Sequence, residues 1–256
     1  MAKCFYVDLG MMDYREALSL QERLVDLRGR NQIEDVLLIL EHDPVITIGT
    51  KELPLFRVPR DEIEKRGLKV IDVGRGGGAT YHGPEQLVVY PITDFRRMFG
   101  YKGGNDIQYS DIKKFTDRLQ DVMRLTLLDF GIANTKLEKG VWYEDKKIGS
   151  RAIEIRKSGG TLVTMHGSAL DVNTEQENFE LIFPCGHANK GVTSMEKVLG
   201  RKIPMEDVKT SFLKNFGTVF SYEMEKTTVD ELLLSAGDNA FGEQLAGPVR
   251  APDKWA

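Results

Sequence analysis

The sequence predicts an α+β domain with a mixed central β-sheet flanked by helices. Short apolar runs typical of strands, such as "VLLIL" at 36–40 and "QLVVYPI" at 86–92, alternate irregularly with stretches of helical apolar periodicity. None of these runs approaches the length of a membrane span. No internal repeat is present, and 256 residues are enough to bury the core of one domain. This mixture of elements favours helices packed on one sheet.

The first third of the chain predicts a strand, a helix and two further strands. Residues 5–9 form an apolar run, and Asp13 with Glu16 forms an N-capping pair at the start of the helix. "DVLLILEHDPVITIG" indicates two strands separated by a turn at Asp43 and Pro44. Two more strands then enter and leave a glycine-rich loop, "GRGGGATYHGP".

The rest of the chain predicts helices around a long stretch of strands. Ser110 is the expected cap of an amphipathic helix. Residues 141–173 have mainly the pattern of strands, with a turn at 157–160. Helical spacing returns near 175–182 and again from 205 to about 220.

Composition limits the classes of partner and compartment. The net charge of -4 provides no basic footprint for nucleic acid. The N-terminus lacks the apolar stretch of a signal peptide, and two cysteines make no disulfide framework, so we expect a cytoplasmic protein that does not bind membranes. Four histidines and two cysteines show no metal-ligand spacing, so neither a metal nor a cofactor is expected.

The glycine-rich loop suggests nucleotide binding at first, but its context argues against it. No Lys-Ser/Thr pair follows the glycines, as a Walker A loop requires. A helix N-terminus must follow a dinucleotide-binding loop, whereas Gly83, Pro84 and an apolar strand follow here. The simplest alternative is a hairpin loop whose glycines supply positive φ. Because Arg75 and His82 lie in the same short span, we favour a ligand that lies across the sheet, with backbone N–H groups near an acyl oxygen.

Cys185 is the candidate nucleophile, whereas Cys4 fits a small buried side chain. Cys185 lies between Pro184 and Gly186, which places it in a loop rather than in a regular element. A cysteine nucleophile needs a neighbour that stabilises its thiolate. The candidates are His82, His166, His187 and the lysines of "EDKKIGSRA". A histidine partner would suit a hydrolase and a lysine partner would suit acyl transfer to an amine; spacing alone leaves both open.

Five motifs in a fixed order resemble one known family. They are "EHDPV" (41–45), "RGGGATYHGPEQLVVYPI" (75–92), "KKIGSRAI" (146–153), "TMHGSALDVN" (164–173) and "FPCG" (183–186). Together they resemble the lipoyl(octanoyl) transferases, over about residues 5–215. The resemblance implies the fold of the biotin/lipoate protein ligases and predicts an octanoyltransferase catalytic domain over residues 1–222. Residues 223–256 would form a C-terminal extension that is partly mobile.

The resemblance also implies site residues. The family's catalytic cysteine–lysine pair corresponds to Cys185 and Lys147. Its acyl-binding segments correspond to Arg75, Gly76, Gly77, Gly78, Ala79, Thr80, Tyr81 and His82, to Ser150, Arg151 and Ala152, and to Gly167, Ser168 and Ala169, with His166 beside them. We expect His82 and His166 to shape the pocket near the thioester rather than to act as the primary base.

The implied reaction is acyl transfer without ATP, the first step of endogenous lipoate synthesis. Cys185 would take octanoyl from octanoyl-acyl carrier protein and pass it to a specific lysine of a lipoyl domain. The implied acceptors are the lipoyl domains of 2-oxoacid dehydrogenases and the glycine cleavage H protein. These partners are typically acidic, and basic residues near the site could steer docking. They are Arg75, Lys146, Arg151, Arg156 and Lys157.

Two other functions compete with this prediction. An ATP-dependent lipoate-protein ligase would share the fold and the lysine, and "GGGATYH" and "GSRA" are slightly closer to the ligases. A ligase needs no cysteine in "FPCG", so Cys185 argues against it. A non-catalytic carrier-protein binding module would leave Cys185 and Lys147 without a role. The sequence also departs from the family's "HGPGQ" motif, because Glu85 replaces its second glycine.

Overall fold

An eight-stranded mixed sheet forms the centre of the molecule. In the computed structural model, the described residues are 2–51, 56–99, 108–183 and 191–238. In spatial order, the large sheet contains β11 (Tyr222–Lys226), β1 (Ala2–Met12), β2 (Asp35–His42), β6 (Gln86–Ile92), β10 (Thr161–Asp171), β9 (Lys146–Ser158), β8 (Val141–Tyr143) and β7 (Thr135–Leu137). The pairs of β1 with β11 and β2 are parallel, and every other pair in this sheet is antiparallel. The predicted mixed sheet is therefore confirmed.

A second, three-stranded sheet was not predicted. It contains β4 (Lys69–Asp72), β3 (Val45–Ile48) and β5 (Ala79–His82), with β3 in the middle. The turn predicted at Asp43–Pro44 does separate two strands, but β2 belongs to the large sheet and β3 to the small one. This turn therefore carries the chain from one sheet to the other.

Helices cover both faces of the large sheet, as predicted. The helices of the described residues are α1 (Tyr14–Gly29), α2 (Arg60–Lys65), α3 (Phe95–Phe99), α4 (Tyr109–Asp129), α5 (Met195–Leu199), α6 (Met205–Phe220) and α7 (Val229–Ser235). Of these, α2 packs on the small sheet instead. The face with Leu87 and Val89 packs against α4 and α6, and the face with Val88 and Tyr90 packs against α1 and α7. The small sheet shares the second of these clusters through Val45. The two sheets thus enclose a space beside α1.

Four helical details confirm, correct or extend the sequence predictions. Asp13 caps α1 as predicted, and its carboxylate accepts a hydrogen bond from the Arg15 N–H at 2.8 Å. The predicted cap of α4 is wrong: Gln108 is the N-cap and forms a capping box with Asp111, so Ser110 lies in the first turn. The segment predicted to be helical at 175–182 is a short 3-10 helix, Glu177–Leu181. α7 was not predicted.

A buried ion pair between α1 and β2 links the large sheet to its edge strand β11. Arg28 on α1 donates to Asp35 on β2 at 2.6 Å, and both side chains are buried. The Tyr222 hydroxyl of β11 donates to the other oxygen of Asp35 at 2.6 Å. The Asp94 N–H donates at 2.9 Å to the same Asp35 oxygen as Arg28. Removing one member of a buried ion pair leaves an uncompensated charge. Because Tyr222 bonds to this pair, β11 is an integral strand of the large sheet. Residues 239–256, within the predicted extension, lie outside the described residues.

The turn between β5 and β6 provides a test of local backbone strain. Glu85 has a φ of 60°, in the left-handed region that favours glycine. Its carboxylate is half exposed and lies 3.2 Å from the Lys202 ammonium, a contact of small stabilising effect. We expect Glu85→Gly to have a free energy of unfolding about 1 kcal/mol above that of Glu85→Ala, which keeps the strain and loses the same ion pair.

Denaturant unfolding of the two variants measures this difference. Equal stabilities, or a less stable glycine variant, would show that the backbone at Glu85 is not strained.

Candidate active site

The space between the two sheets forms a cavity of about 500 Å³, part of it open to solvent. Most of its lining comes from the three predicted segments: Arg75, Gly76, Gly77, Thr80 and His82, then Ser150, Arg151 and Ala152, then His166, Gly167, Ser168 and Ala169. The remaining lining residues, Tyr14, Val88 and Tyr90, were not predicted. The structure therefore brings residues that are far apart in sequence around one space.

Three residues of the first predicted segment do not line this cavity. Ala79 and Tyr81 lie on β5, where successive side chains point to opposite faces of the sheet. They pack instead into a cluster with Phe179 of the 3-10 helix. The Gly78 carbonyl accepts a hydrogen bond from the Gly49 N–H, which holds the loop to the end of β3. For these three residues the structure shows packing in place of the predicted contact with substrate.

The hairpin of β9 and β10 aligns the other two segments. Its register places Ala169 opposite Ser150 and Gly167 opposite Ala152. Gly167 also lies so close to β6 that a side chain there would collide with the Val89 carbonyl. A glycine at this position therefore lets β10 approach β6 where the two strands form the floor of the cavity.

Arg75 fastens the glycine loop over the cavity. Its guanidinium donates to the Thr47 carbonyl at 2.7 Å and to the Thr47 hydroxyl at 2.7 and 3.2 Å, and the side chain is only 6% exposed. This placement corrects the docking role predicted for Arg75, because a buried guanidinium cannot meet a partner protein. Arg156 is engaged as well, since it pairs with Glu154 at 2.7 Å and Glu22 at 2.8 Å. Lys146 and Lys157 are exposed.

Three buried histidines cluster around the cavity and are held neutral. Burial lowers the pKa of His42 to about 4 and, with the nearby His42 and Arg75, lowers the pKa of His82 to about 3. Burial also lowers the pKa of His166, although Glu154 opposes this shift. Near neutral pH these imidazoles are hydrogen-bonding groups without charge. That His82 and His166 shape the pocket rather than act as the primary base stays a prediction.

The partners of His42 define its tautomer and orient a cavity residue. The Met12 carbonyl lies 2.8 Å from Nδ1, and a carbonyl only accepts, so Nδ1 carries the proton. Nε2 therefore accepts from the Tyr90 hydroxyl at 2.7 Å. His42 belongs to the "EHDPV" motif but was not among the predicted site residues. The alternation of Val88 and Tyr90 in "QLVVYPI" would have indicated which face of β6 lines the cavity.

His166 occupies an unusual position at the cavity wall. Its φ is 56°, and its N–H donates to the Gln21 side chain at 2.8 Å. Its Nε2 lies 3.4 Å from one Glu154 oxygen, and Arg156 donates to the other oxygen of that carboxylate at 2.7 Å. A non-glycine residue in this backbone conformation at a cavity is typical of functional sites.

Lys147 lies on the strand that contributes Ser150 to the cavity, but it is not part of the cavity lining. It is on β9, three residues before Ser150, and is 3% exposed. Its Nζ lies 5.6 Å from the centre of the Trp142 ring. Its backbone pairs with the segment that follows the predicted nucleophile: the Lys147 N–H donates to the Gly191 carbonyl at 3.0 Å, and the Thr193 N–H donates to the Lys147 carbonyl at 2.8 Å. Cys185 and His187 themselves lie outside the described residues.

The described part of the chain has neither a candidate metal site nor a membrane-spanning helix. It contains no group of three or more His, Cys, Asp and Glu side chains that could hold a metal ion. Among its helices, none has the length and apolarity needed to cross a membrane.

Comparisons with known proteins identify the family. The family model of the lipoyl protein ligase A/B catalytic domain matches residues 13–217. The chain therefore belongs to the lipoyl protein ligase A/B catalytic domain family. Its relatives include the octanoyltransferase of Caldicellulosiruptor saccharolyticus, 42% identical over 88% of this chain and 92% of the relative. The octanoyltransferase of Desulforamulus reducens is 35% identical over 87% and 93%. The predicted family and acyltransferase class are thereby confirmed.

Solved structures confirm the fold. A lipoate-protein ligase A bound with ATP has a TM-score of 0.69, with 14% identity over 96% of each chain. The bipartite lipoate protein ligase of Thermoplasma acidophilum has a TM-score of 0.69, with 15% identity over 99% of this chain and 100% of that one. At these identities the likeness concerns the fold alone.

The neutral histidines predict a specific acid sensitivity. An unfolded histidine has a pKa of about 6.5, so in mildly acidic solution the unfolded state binds a proton that folded His42 does not. The folded pKa is the lower of the two, so stability falls as the pH falls from about 6.5 towards 4. His42 alone should remove about 2 kcal/mol of unfolding free energy between pH 7.5 and 5.

His42→Gln tests this prediction, because glutamine can donate to Met12 and accept from Tyr90 without titrating. Urea unfolding at both pH values should show a smaller acid loss in the variant. Identical losses in the two proteins would contradict the neutral state of His42.

Proposed function

We propose that this protein transfers octanoyl from octanoyl-acyl carrier protein to a specific lysine of a lipoyl domain, through a thioester on Cys185. The observation that carries the proposal is the cavity between the two sheets, walled by the segments that resemble the acyl-binding segments of octanoyltransferases, with buried Lys147 on the same strand as Ser150. The sequence relatives named octanoyltransferase support the same reaction. The composition fits a reaction in the cytoplasm.

The two ends of the described chain around Cys185 support its proximity to Lys147. On one side, Ile182 pairs with Phe56, and Arg57 donates to the carbonyls of Leu181 and Ile182 at 2.9 and 3.1 Å. On the other side, Val192 pairs with Lys147 itself. Val192 follows Cys185 by seven residues, so the chain between them is long enough for the Cys185 side chain to reach Lys147.

In the first step, the Cys185 thiolate attacks the carbonyl carbon of the octanoyl thioester. The Lys147 ammonium stabilises the thiolate before the attack. The bond between the carbonyl carbon and the sulfur of the carrier arm then breaks, and that sulfur takes a proton from Lys147. The products are octanoyl-Cys185, a free carrier thiol and neutral Lys147.

In the second step, the amine of the lipoyl-domain lysine attacks the acyl-enzyme. Neutral Lys147 accepts the proton that the amine loses, and Cys185 leaves as the thiolate. The ammonium–thiolate pair is thereby restored. A thioester is exchanged for an amide, which is downhill, so the cycle needs no ATP.

The acyl chain would lie along the floor formed by β6 and β10. Val88 and Ala169 provide apolar surface there, and backbone of Gly76 and Gly77 covers the opposite side. Burying an eight-carbon chain against such surface is favourable by roughly 0.8 kcal/mol per CH₂ group. Because β9 leads from Ser150 to Lys147, the thioester end of the acyl chain would lie on the Ser150 side of the cavity.

An ATP-dependent ligase is less well supported. The ligases among the solved structures share the fold at low identity, whereas the relatives at 35–42% identity are octanoyltransferases. A lipoyl domain as acceptor suits either enzyme; the T. acidophilum ligase was solved in a study of it and its E2 lipoyl domain. The donor, a carrier-protein thioester or a free acid with ATP, is therefore the distinguishing substrate.

The first test is transfer of octanoyl from octanoyl-acyl carrier protein to a lipoyl domain without ATP, followed by the mass of the lipoyl domain. We expect the wild-type protein to add one octanoyl group and Cys185→Ser to add none. Substantial transfer by Cys185→Ser would exclude the covalent route.

Lys147 is tested against its neighbour on the same strand. Lys147→Met keeps an unbranched side chain against Trp142 but removes the ammonium, and we expect kcat/KM to fall at least about 100-fold. Lys146→Met, at an exposed position, is the matched control and should retain most of the activity. Equal effects of the two substitutions, measured in the same transfer assay, would show that Lys147 has no chemical role.

A further inference from the structure

Gln86 connects the cavity to the surroundings of Lys147. It is the first residue of β6 and is 2% exposed. Its side-chain amide lies 2.7 Å from Nδ1 of His82, which lines the cavity. On its other side it lies 2.8 Å from Asp171, a buried carboxyl at the end of β10. The three side chains form a continuous buried chain of hydrogen bonds.

The partners of Gln86 define the orientation of its amide. Nε2 donates to the Tyr81 carbonyl at 3.3 Å and to an Asp171 oxygen at 2.8 Å. The Tyr81 carbonyl can only accept, so rotating the amide by 180° would bring two acceptors together. The amide oxygen therefore faces His82.

This orientation defines the tautomer of His82. The amide oxygen of Gln86 only accepts, so Nδ1 of His82 carries the proton. His82 is neutral near pH 7, which leaves Nε2 with a lone pair. Tyr14 stacks on the ring at 6.1 Å and His42 meets it edge-on at 5.7 Å, which limits rotation of the imidazole. His82 thus presents a fixed acceptor where it lines the cavity.

At the other end of the hydrogen-bond chain, the charge of Lys147 affects the pKa of Asp171. Burial raises the pKa of Asp171 to about 7, while Gln86 and the positive charge of Lys147 oppose this shift. Asp171 is therefore within electrostatic reach of the proposed catalytic lysine while it holds Gln86.

We propose that Gln86 and Asp171 are positioning residues that hold His82 as its Nδ1–H tautomer, so that Nε2 accepts a hydrogen bond from the amine that attacks the acyl-enzyme. This inference rests on the proposed function. The amine keeps one N–H directed at His82 and loses the other proton to Lys147. Its lone pair is then directed at the thioester carbon. No proton passes through Gln86, and His82 is unchanged at the end of the step.

The first experiment reads the tautomer directly, in the protein without substrate. Nitrogen-15 NMR of histidine-labelled wild-type protein should show His82 with a protonated Nδ1 and an unprotonated Nε2 at pH 7.5. His82→Gln identifies the signal. Gln86→Met, of similar length but without the amide, should give a mixture of tautomers. A wild-type His82 protonated on Nε2, or an unchanged Nδ1–H tautomer in Gln86→Met, would overturn the proposal.

The second experiment separates the two half-reactions by rapid-quench mass spectrometry. Gln86→Met should form octanoyl-enzyme within about threefold of the wild-type rate, and transfer from octanoyl-enzyme to the lipoyl domain should slow by about tenfold or more. Asp171→Asn keeps an oxygen that can accept from Gln86 and should retain more of the transfer rate than Asp171→Leu.

A merely structural role would slow both half-reactions equally in Gln86→Met, and that result would overturn the proposal. If the wild-type protein forms no octanoyl-enzyme, the proposed function fails instead, and the tautomer measurement still decides whether Gln86 positions His82.

Discussion

The antiparallel register of β9 and β10 is the constraint on which the rest of the site depends. It places Ser150 opposite Ala169 and Ala152 opposite Gly167, and it leaves Lys147 beyond the end of this paired stretch, next to the residues that follow Cys185. Because side chains alternate along a strand, a slip by one residue would move each of these side chains to the other face of the sheet. Pairing of β10 with β6 then adds Val88 and Tyr90 to the same surface.

Burial of polar groups gives this surface its chemical character. Charged groups beside the cavity have specific partners: Arg75 is bonded to Thr47, and Glu154 is bonded to Arg156. The histidines respond to burial by remaining neutral, since a buried charge without a partner is costly. The cavity is therefore lined by fixed dipoles and bare backbone, which suits a neutral acyl chain that ends in a polar thioester.

The sequence predicted the parts of the fold that depend on local pattern. The Asp13 cap, the apolar run of β6 and the turn between β9 and β10 are all determined by neighbouring residues, and the structure confirms them. The small sheet could not be predicted in this way, because the pairing of β3 with β4 and β5 joins separate parts of the chain. The same limit applies to Tyr14: its place at the cavity depends on how α1 packs across the sheet, whereas its local pattern indicates only a helix start. The positions of Ala79 and Tyr81 could have been predicted from local pattern. Strand alternation alone places their side chains on the face opposite Thr80 and His82.

The most direct test of the octanoyl-Cys185 intermediate is the intact mass of the wild-type protein after incubation with octanoyl-acyl carrier protein in the absence of ATP. We expect one octanoyl adduct, which hydroxylamine removes because it is a thioester. A protein that stays unmodified, and that alters a lipoyl domain only when free octanoate or lipoate and ATP are supplied, would contradict the acyl-enzyme and identify a ligase.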